Sequence, residues 1–409
     1  MSERYPGGLI RKTPPTITGP ATSGPLAGEG GSASGVWTLA DVLAGEKADI
    51  WPKPVLPRPL YAWGSNASGQ LGQNDTVNRS SPVQVGSLTD WSQISAGSSF
   101  AASIKTNGTL WAWGSGGNGR LGDGTVVNKS SPVQIGALTN WYQISVGAVR
   151  AHSASIKTDG TLWGWGINSA GSLGDGTTVN KSSPVQIGVL ANWAQVASGS
   201  AHTASVKTDG TLWAWGSNNA GQLGDNTVVY RSSPVQVGSL TGWSQVAAGN
   251  SFTFSIKTGG TLWAWGINSN GQLGQNNVIN RSSPVQVGAL TNWTQVSAGS
   301  LHIVSVKTDG TLWAWGYNST GPLGLNDTIT RSSPVQVGAL TNWAQVSAGN
   351  GFTASVKSDG TMWSWGQNST GQVGDNTVVY RSSPVQVGAL TNWSQVSAGN
   401  IHTLAITKG

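Results

Sequence analysis

The sequence predicts an all-β protein, a closed propeller of seven four-stranded blades preceded by an extended arm. Three observations predict it. The dipeptide Trp-Gly recurs at Trp63, Trp113, Trp165, Trp215, Trp265, Trp315 and Trp365, at intervals of 50 residues with one of 52. Glycine is abundant, with 59 of 409 residues, and only 9% of the chain is charged, a composition that suits short strands and tight turns. The two ends of the repeat array are also complementary. A fixed period of this size outranks chain length as a guide to architecture, so residues 59–409 are read as one array and residues 1–58 as a separate arm.

Within one unit, four apolar stretches are bounded by Gly, Asn or Ser-Pro. In the fourth unit they run from Thr211 through Trp215-Gly216, Ser233 to Gly238, Trp243 to Gly249, and Phe252 to Thr258. The pairs Asn107-Gly108, Asp159-Gly160, Asp209-Gly210, Gly259-Gly260, Asp309-Gly310 and Asp359-Gly360 lie between strand-like runs, and they predict two-residue type I′ hairpins. Each hairpin couples the last strand of one unit to the first of the next. The array opens at Pro59 without a preceding hairpin strand and closes at 401–409 without a following Trp-Gly strand. Joining the ends completes the last sheet, which favours a ring over an open solenoid or a parallel β-helix. Twenty of the 22 tryptophans fall in the repeats and are expected in the core.

The succession Trp-Gly-x-Asn-x-x-Gly-Gln-Leu-Gly, Ser-Pro-Val-Gln-Val and Ala-Gly-x-x-His-Thr-x-x-Ile-Lys-Thr-Asp-Gly resembles the repeat of the regulator of chromosome condensation family, across all seven units. The resemblance implies a seven-bladed β-propeller. The guanine-nucleotide exchange known in that family depends on irregular, charged loops, whereas these loops are short and rich in Asn, Ser and Gly. Fold alone does not carry function.

The arm reads differently. Residues 13–36 are poor in apolar residues and predict an extended linker. A short helix is expected over 38–50, capped by Thr38 and stopped by Pro52, and Pro52, Pro54, Pro57 and Pro59 form a stiff spacer. The runs from Tyr5 to Thr16 and from Gly35 to Pro52 resemble the N-terminal segment of virion structural proteins of tailed bacteriophages. That resemblance implies attachment to other virion proteins, with Trp37, Leu39, Val42, Leu43, Ile50 and Trp51 as candidate attachment residues. It also implies a virion location after assembly in the host cytoplasm, and an oligomeric display on the particle.

Searching for chemistry yields little. The formal charge of +6 comes largely from two rings of repeat cations, one running from Lys105 to Lys408 and the other from Arg79 to Arg381. One cation per unit spreads charge around a disc, which argues against nucleic acid. Cysteine is absent, removing thiol chemistry, and no apolar run has the length of a membrane span. His152, His202, His302 and His402 share a repeat position with Phe100, Phe252 and Phe352, so they read as packing residues. Asp123, Asp175, Asp225 and Asp375 read as turn caps, with Gln73, Gln275 and Leu325 at the same position elsewhere; calcium is the alternative. No nucleophile elbow or phosphate loop is present, so no cofactor and no catalytic residue are assigned. Candidate binding residues are those that break the repeat: Arg120, Tyr142, Arg150, Tyr230, Tyr317 and Tyr380, because exposed Tyr and Arg are good anchors. The function expected is a non-enzymatic virion protein whose propeller contacts a host-surface glycan or protein. The alternative is an intracellular interaction scaffold or GTPase regulator.

Overall fold

The computed structural model describes residues 57–147 and 152–408, with the backbone of four two-residue strands before them. The chain divides into two compact units, residues 1–56 and 57–409. In the first, Arg4–Tyr5 pairs with Leu9–Ile10 and Thr16–Ile17 with Gly31–Ser32, all antiparallel. The helix expected over 38–50, and the attachment residues on it, lie outside the described residues.

The second unit is seven four-stranded antiparallel sheets. Blade 1 combines both ends of the array, in the order Trp393–Ala398, His402–Thr407, Leu60–Gly64, Arg79–Gln84. Blades 2 to 7 follow in sequence, each built from a strand opening on Trp91, Trp141, Trp193, Trp243, Trp293 or Trp343 outward to one opening on Lys129, Lys181, Arg231, Arg281, Arg331 or Arg381. Ring closure is therefore as expected: His402–Thr407 pairs in full register with Leu60–Gly64, from His402 opposite Gly64 to Ile406 opposite Leu60.

The hairpins correct one expectation. At the Asp159-Gly160 turn, Gly160 N–H donates to the Lys157 carbonyl and Lys157 N–H to the Thr161 carbonyl, and only Gly160, at φ +78°, has positive φ. A type I′ turn would need positive φ at both central residues. The loop is instead a three-residue turn over Thr158 and Asp159 closed by a left-handed glycine. Asp159 decides this by accepting from the N–H and hydroxyl of Thr161, which holds its own backbone out of the left-handed region.

The core lies between blades. Seven apolar clusters each join one blade to its neighbour; one packs Phe100, Ile104, Leu110 and Leu121 of blade 2 against Trp141, Ile144 and Trp165 of blade 3. Trp91 and Trp141 meet the third-strand tryptophans of their own blades edge-on at about 6 Å. The Trp of each Trp-Gly pair thus fills a seam rather than the centre of its own sheet. Gly224 shows how tight the seam is: at φ +73°, a Cβ there would lie 2.7 Å from Trp265 Nε1.

Three rings of hydrogen bonds cross the seams. Nearest the axis, Gln93, Gln143, Gln195, Gln245, Gln295, Gln345 and Gln395 each accept at Oε1 from the innermost-strand backbone of the next blade. Midway, each Trp-Gly indole donates to a loop carbonyl of the preceding blade, as Trp265 does to Gln222 and Trp63 to Gln372. Outermost, a left-handed Asn or Gly in each loop donates to a Ser carbonyl of the next blade, from Asn74 with Ser130 to Asn376 with Ser80. The outer strands keep Pro at their centres, which protects their free edges from pairing with another chain.

Candidate protein-interaction rim

The two faces of the disc differ in chemistry. One carries the Asp-Gly hairpins and the loops that enter each innermost strand. The other, the loop face, carries the long segment between the third and fourth strands of each blade. That segment is organised by a buried Asn. In blade 4, Asn218 Nδ2 donates to Asp225 Oδ1 and to the Thr227 and Val229 carbonyls, while its Oδ1 accepts from Leu223 N–H. Blade 2 has Gly116 instead, where a Cβ would lie 2.1 Å from the Val127 carbonyl oxygen, and its loop forms a short 3-10 turn over Gly117–Gly119.

The loop acids are turn caps, as read from sequence, and also ion-pair partners. Asp225 Oδ1 accepts from the N–H and hydroxyl of Thr227, and its other oxygen lies 3.1 Å from Arg231. Burial works to raise the Asp225 carboxyl, yet the Thr227 and Arg231 hydrogen bonds outweigh it and hold it below the ordinary value. Asp123, Asp175 and Asp375 pair likewise with Lys129, Lys181 and Arg381. Where Gln73 and Leu325 replace the acid, it sits two residues later, and Asp75 and Asp327 reach Arg79 and Arg331 at 2.6 Å. Among the described residues no group of three or more His, Asp or Glu side chains could hold a metal ion.

The ring of lysines from Lys105 to Lys408 corrects the picture of charge spread over a disc. Lys105, Lys157, Lys207, Lys307 and Lys357 are buried, each Nζ lying 3.6–5.0 Å from the ring centres of two tryptophans. Burial pulls the Lys207 ammonium below its ordinary value, with Asp209 acting in the opposite direction. These five cations are packed within their own blades rather than displayed on the surface.

The histidines are buried as expected, and they also bond. His202 and His302 Nε2 lie 2.9 Å from the hydroxyls of Thr253 and Thr353 in the next blade. Those hydroxyls give their protons to the Gln222 and Pro322 carbonyls, so each Nε2 must carry the hydrogen. Burial pushes both imidazoles down to about 3, His152 adding to the effect at His202. They stay neutral at neutral pH.

The structure places Arg120, Tyr230, Tyr317 and Tyr380 on the loop face, in blades 2, 4, 6 and 7, and Tyr142 on the opposite face of blade 3. Tyr142, Tyr230 and Tyr380 are exposed. Arg120 is half-buried and donates from Nε to the Gly117 carbonyl, while Tyr317 bonds through its hydroxyl to Ser319. Arg150 lies outside the described residues. Sequence reasoning missed a more regular feature: each loop exposes a β-branched apolar residue, in turn Val77, Val127, Val179, Val229, Ile279, Ile329 and Val379, all 55–62% exposed. Their signal was an apolar residue stranded between an Asn- or Thr-rich turn and the ring of outer cations. Tyr230 and Tyr380 extend two of these stretches. A ring of leucines from Leu88 to Leu390 is likewise exposed on the hairpin face.

A closed ring of seven four-stranded blades with apolar rims defines a β-propeller, and the repeat places it further. The RCC1-like domain matches residues 190–409, and the Regulator of chromosome condensation (RCC1) repeat matches 59–104, 107–153 and 159–206, so the chain belongs to the RCC1-like family. Human WBSCR16 shares the fold, with a TM-score of 0.76 at 19% identity over 86% of this chain and 99% of that one. Prp20p from Saccharomyces cerevisiae gives the same score and identity over 87% and 92%. The yeast protein in its complex with Kap60 matches over 87% and 89%, again at 0.76 and 19%. No curated protein sequence matches the chain.

Proposed function

We propose that this protein is a non-enzymatic interaction scaffold whose loop-face rim docks a protein. The observation that carries the reading is the exposed apolar residue repeated on all seven loops, with a second beside it in four of them, because apolar side chains grouped on one face mark interaction surfaces. Prp20p, whose structure was described with its binding properties to Gsp1p and histones, supports a protein as the partner class. Six loop acids are tied to cations of their own blades, so these loops present Val and Ile rather than an acidic wedge. That favours a scaffold over a nucleotide-exchange factor.

A photo-crosslinking amino acid at Val229, with Leu240 on the opposite face as control, tests the reading in cells that make the protein. A discrete protein should crosslink at Val229, and its purified form should bind Val228→Ser/Val229→Ser at least tenfold more weakly. Absence of any crosslinked protein at Val229 would remove the reading. A second reading rests on residues 1–58, whose resemblance to phage virion segments makes the arm an anchor and the propeller its exposed cargo, facing a host glycan or protein. Mass spectrometry of purified particles decides it: absence of this chain removes the virion role.

A further inference from the structure

Six of the seven outer cations have a carboxylate in their own loop, and one does not. In blade 5 both positions that supply the acid elsewhere are amides, Gln275 and Asn277. Arg281, the seventh cation, has no salt bridge among the described residues, and its buried Nε has no hydrogen-bond partner.

The amide copies the acid's frame and reverses its chemistry. In blade 6, Asp327 Oδ1 accepts from Ile329 N–H and Asn318 Nδ2, both at 2.9 Å, leaving Oδ2 to grip Arg331 at 2.6 Å. In blade 5, Asn277 Oδ1 accepts from Ile279 N–H at 3.0 Å and from Asn268 Nδ2 at 3.2 Å. Its other atom is now the donor Nδ2, bonded to the Gln275 carbonyl at 3.0 Å. Gln275 also turns its amide away, donating to the Gln286 carbonyl. The Arg281 guanidinium therefore has no carboxylate in its own loop where its six counterparts have one, and a buried N–H left unbonded costs about 1–3 kcal/mol.

We infer that the blade 5 loop docks an acidic side chain of a protein partner, with Arg281 supplying the ion pair that the loop itself lacks. The six filled loops show the chemistry of the missing group, a carboxylate 2.6–3.5 Å from the cation. Val278 and Ile279, 61% and 58% exposed beside it, select an Asp or Glu set among apolar residues over a free anion. This inference rests on the protein-interaction reading and narrows it to one blade.

The test uses the full chain with 15N-labelled arginine. The Arg281 Nε–H signal is identified by its loss in Arg281→Lys and followed by NMR during titration with acetate, phosphate, a capped Ile-Glu-Val peptide and its Ile-Gln-Val counterpart. The Glu peptide should move the signal saturably, at least tenfold more tightly than acetate or phosphate, and the Gln peptide should not move it. Asn277→Asp and Gln275→Asp, which copy the acids of blades 6 and 4, should fill the site internally, raise the melting temperature and weaken peptide binding at least tenfold. A signal unmoved by the Glu peptide, equal affinity for phosphate, or undiminished binding by both folded variants would each overturn the inference. If Val229 crosslinks a partner while Arg281 stays silent, the scaffold reading stands and this site falls. If the peptide binds but neither face crosslinks a protein, the scaffold reading falls.

Discussion

At the scale of single residues, the seams show how a repeat tolerates a polar group. His202 and His302 each meet a Thr hydroxyl from the next blade, and Phe252 meets Ile303 in the same cluster, so polar faces polar and apolar faces apolar. His402 breaks the pattern. The residue equivalent to Thr253 and Thr353 in the next blade is Ala101, and neither ring nitrogen of His402 has a hydrogen-bond partner. His402→Phe should therefore stabilise the protein at pH 7, by about 1–3 kcal/mol, measured by denaturant unfolding. His302 gives the pH test. Unfolded, its imidazole takes up a proton below about 6.5; folded, burial holds it down to about 3. The unfolded chain thus binds more protons between these values. The stability is whole above pH 6.5 and falls as pH drops toward 3, by up to about 1.4 kcal/mol per unit for this residue. His302→Phe should flatten the melting-temperature profile between pH 7 and 4. Thr353 keeps its bond to Pro322, just as Thr403 beside Phe352 keeps its bond to Gln372. The alternation of His and Phe showed a packed slot in the sequence, but not the hydroxyl that meets it, because that partner lies 51 residues away across a seam.

At the scale of elements, the strands were legible and the turns only partly so. Trp-Gly, Ser-Pro and Asp-Gly mark the strand boundaries correctly, yet Asp159 bonds to Thr161 and so converts the expected turn into a bulged one. The loop exposes the same limit. Asn218 looks like one of many turn asparagines, although it is fully buried and bonds across nine and eleven residues. Asn218→Ala should cost about 2–4 kcal/mol and open residues 217–230 to hydrogen exchange, while the six other loops stay protected. The candidate binding residues were chosen because they differ from their equivalents. That criterion finds Tyr230 and Tyr380, but it is blind to an apolar rim made of equivalents that agree. It also passes over Arg281, which matches its repeat and is singular only because Gln275 and Asn277 are not acids.

For the whole molecule, the rings run in opposite senses: in the inner two each blade donates to the blade before it, and in the outermost to the blade after it. Removing residues 391–409 deletes the inner half of blade 1, including Gln395 and the partner of Leu60–Gly64, so it opens the innermost ring and leaves Trp63 and Ser80, the blade 1 members of the other two rings, on a two-stranded remnant. Calorimetry should show loss of the single cooperative transition, as expected when a closed array becomes an open one. An unchanged melting temperature would contradict ring closure as a source of stability.

The closing ladder has a mechanical consequence. Leu60 lies opposite Ile406, so residues 59 and 408 leave blade 1 from the same end of two antiparallel strands. Tension between those points peels the pair one hydrogen bond at a time, whereas a pull from opposite ends would shear all of them together. The disc thus resists little force applied across its closing strands. A load carried from blade 1 to a blade across the ring crosses the tryptophan-filled seams instead, one after another, and is shared between the two arcs of the closed disc.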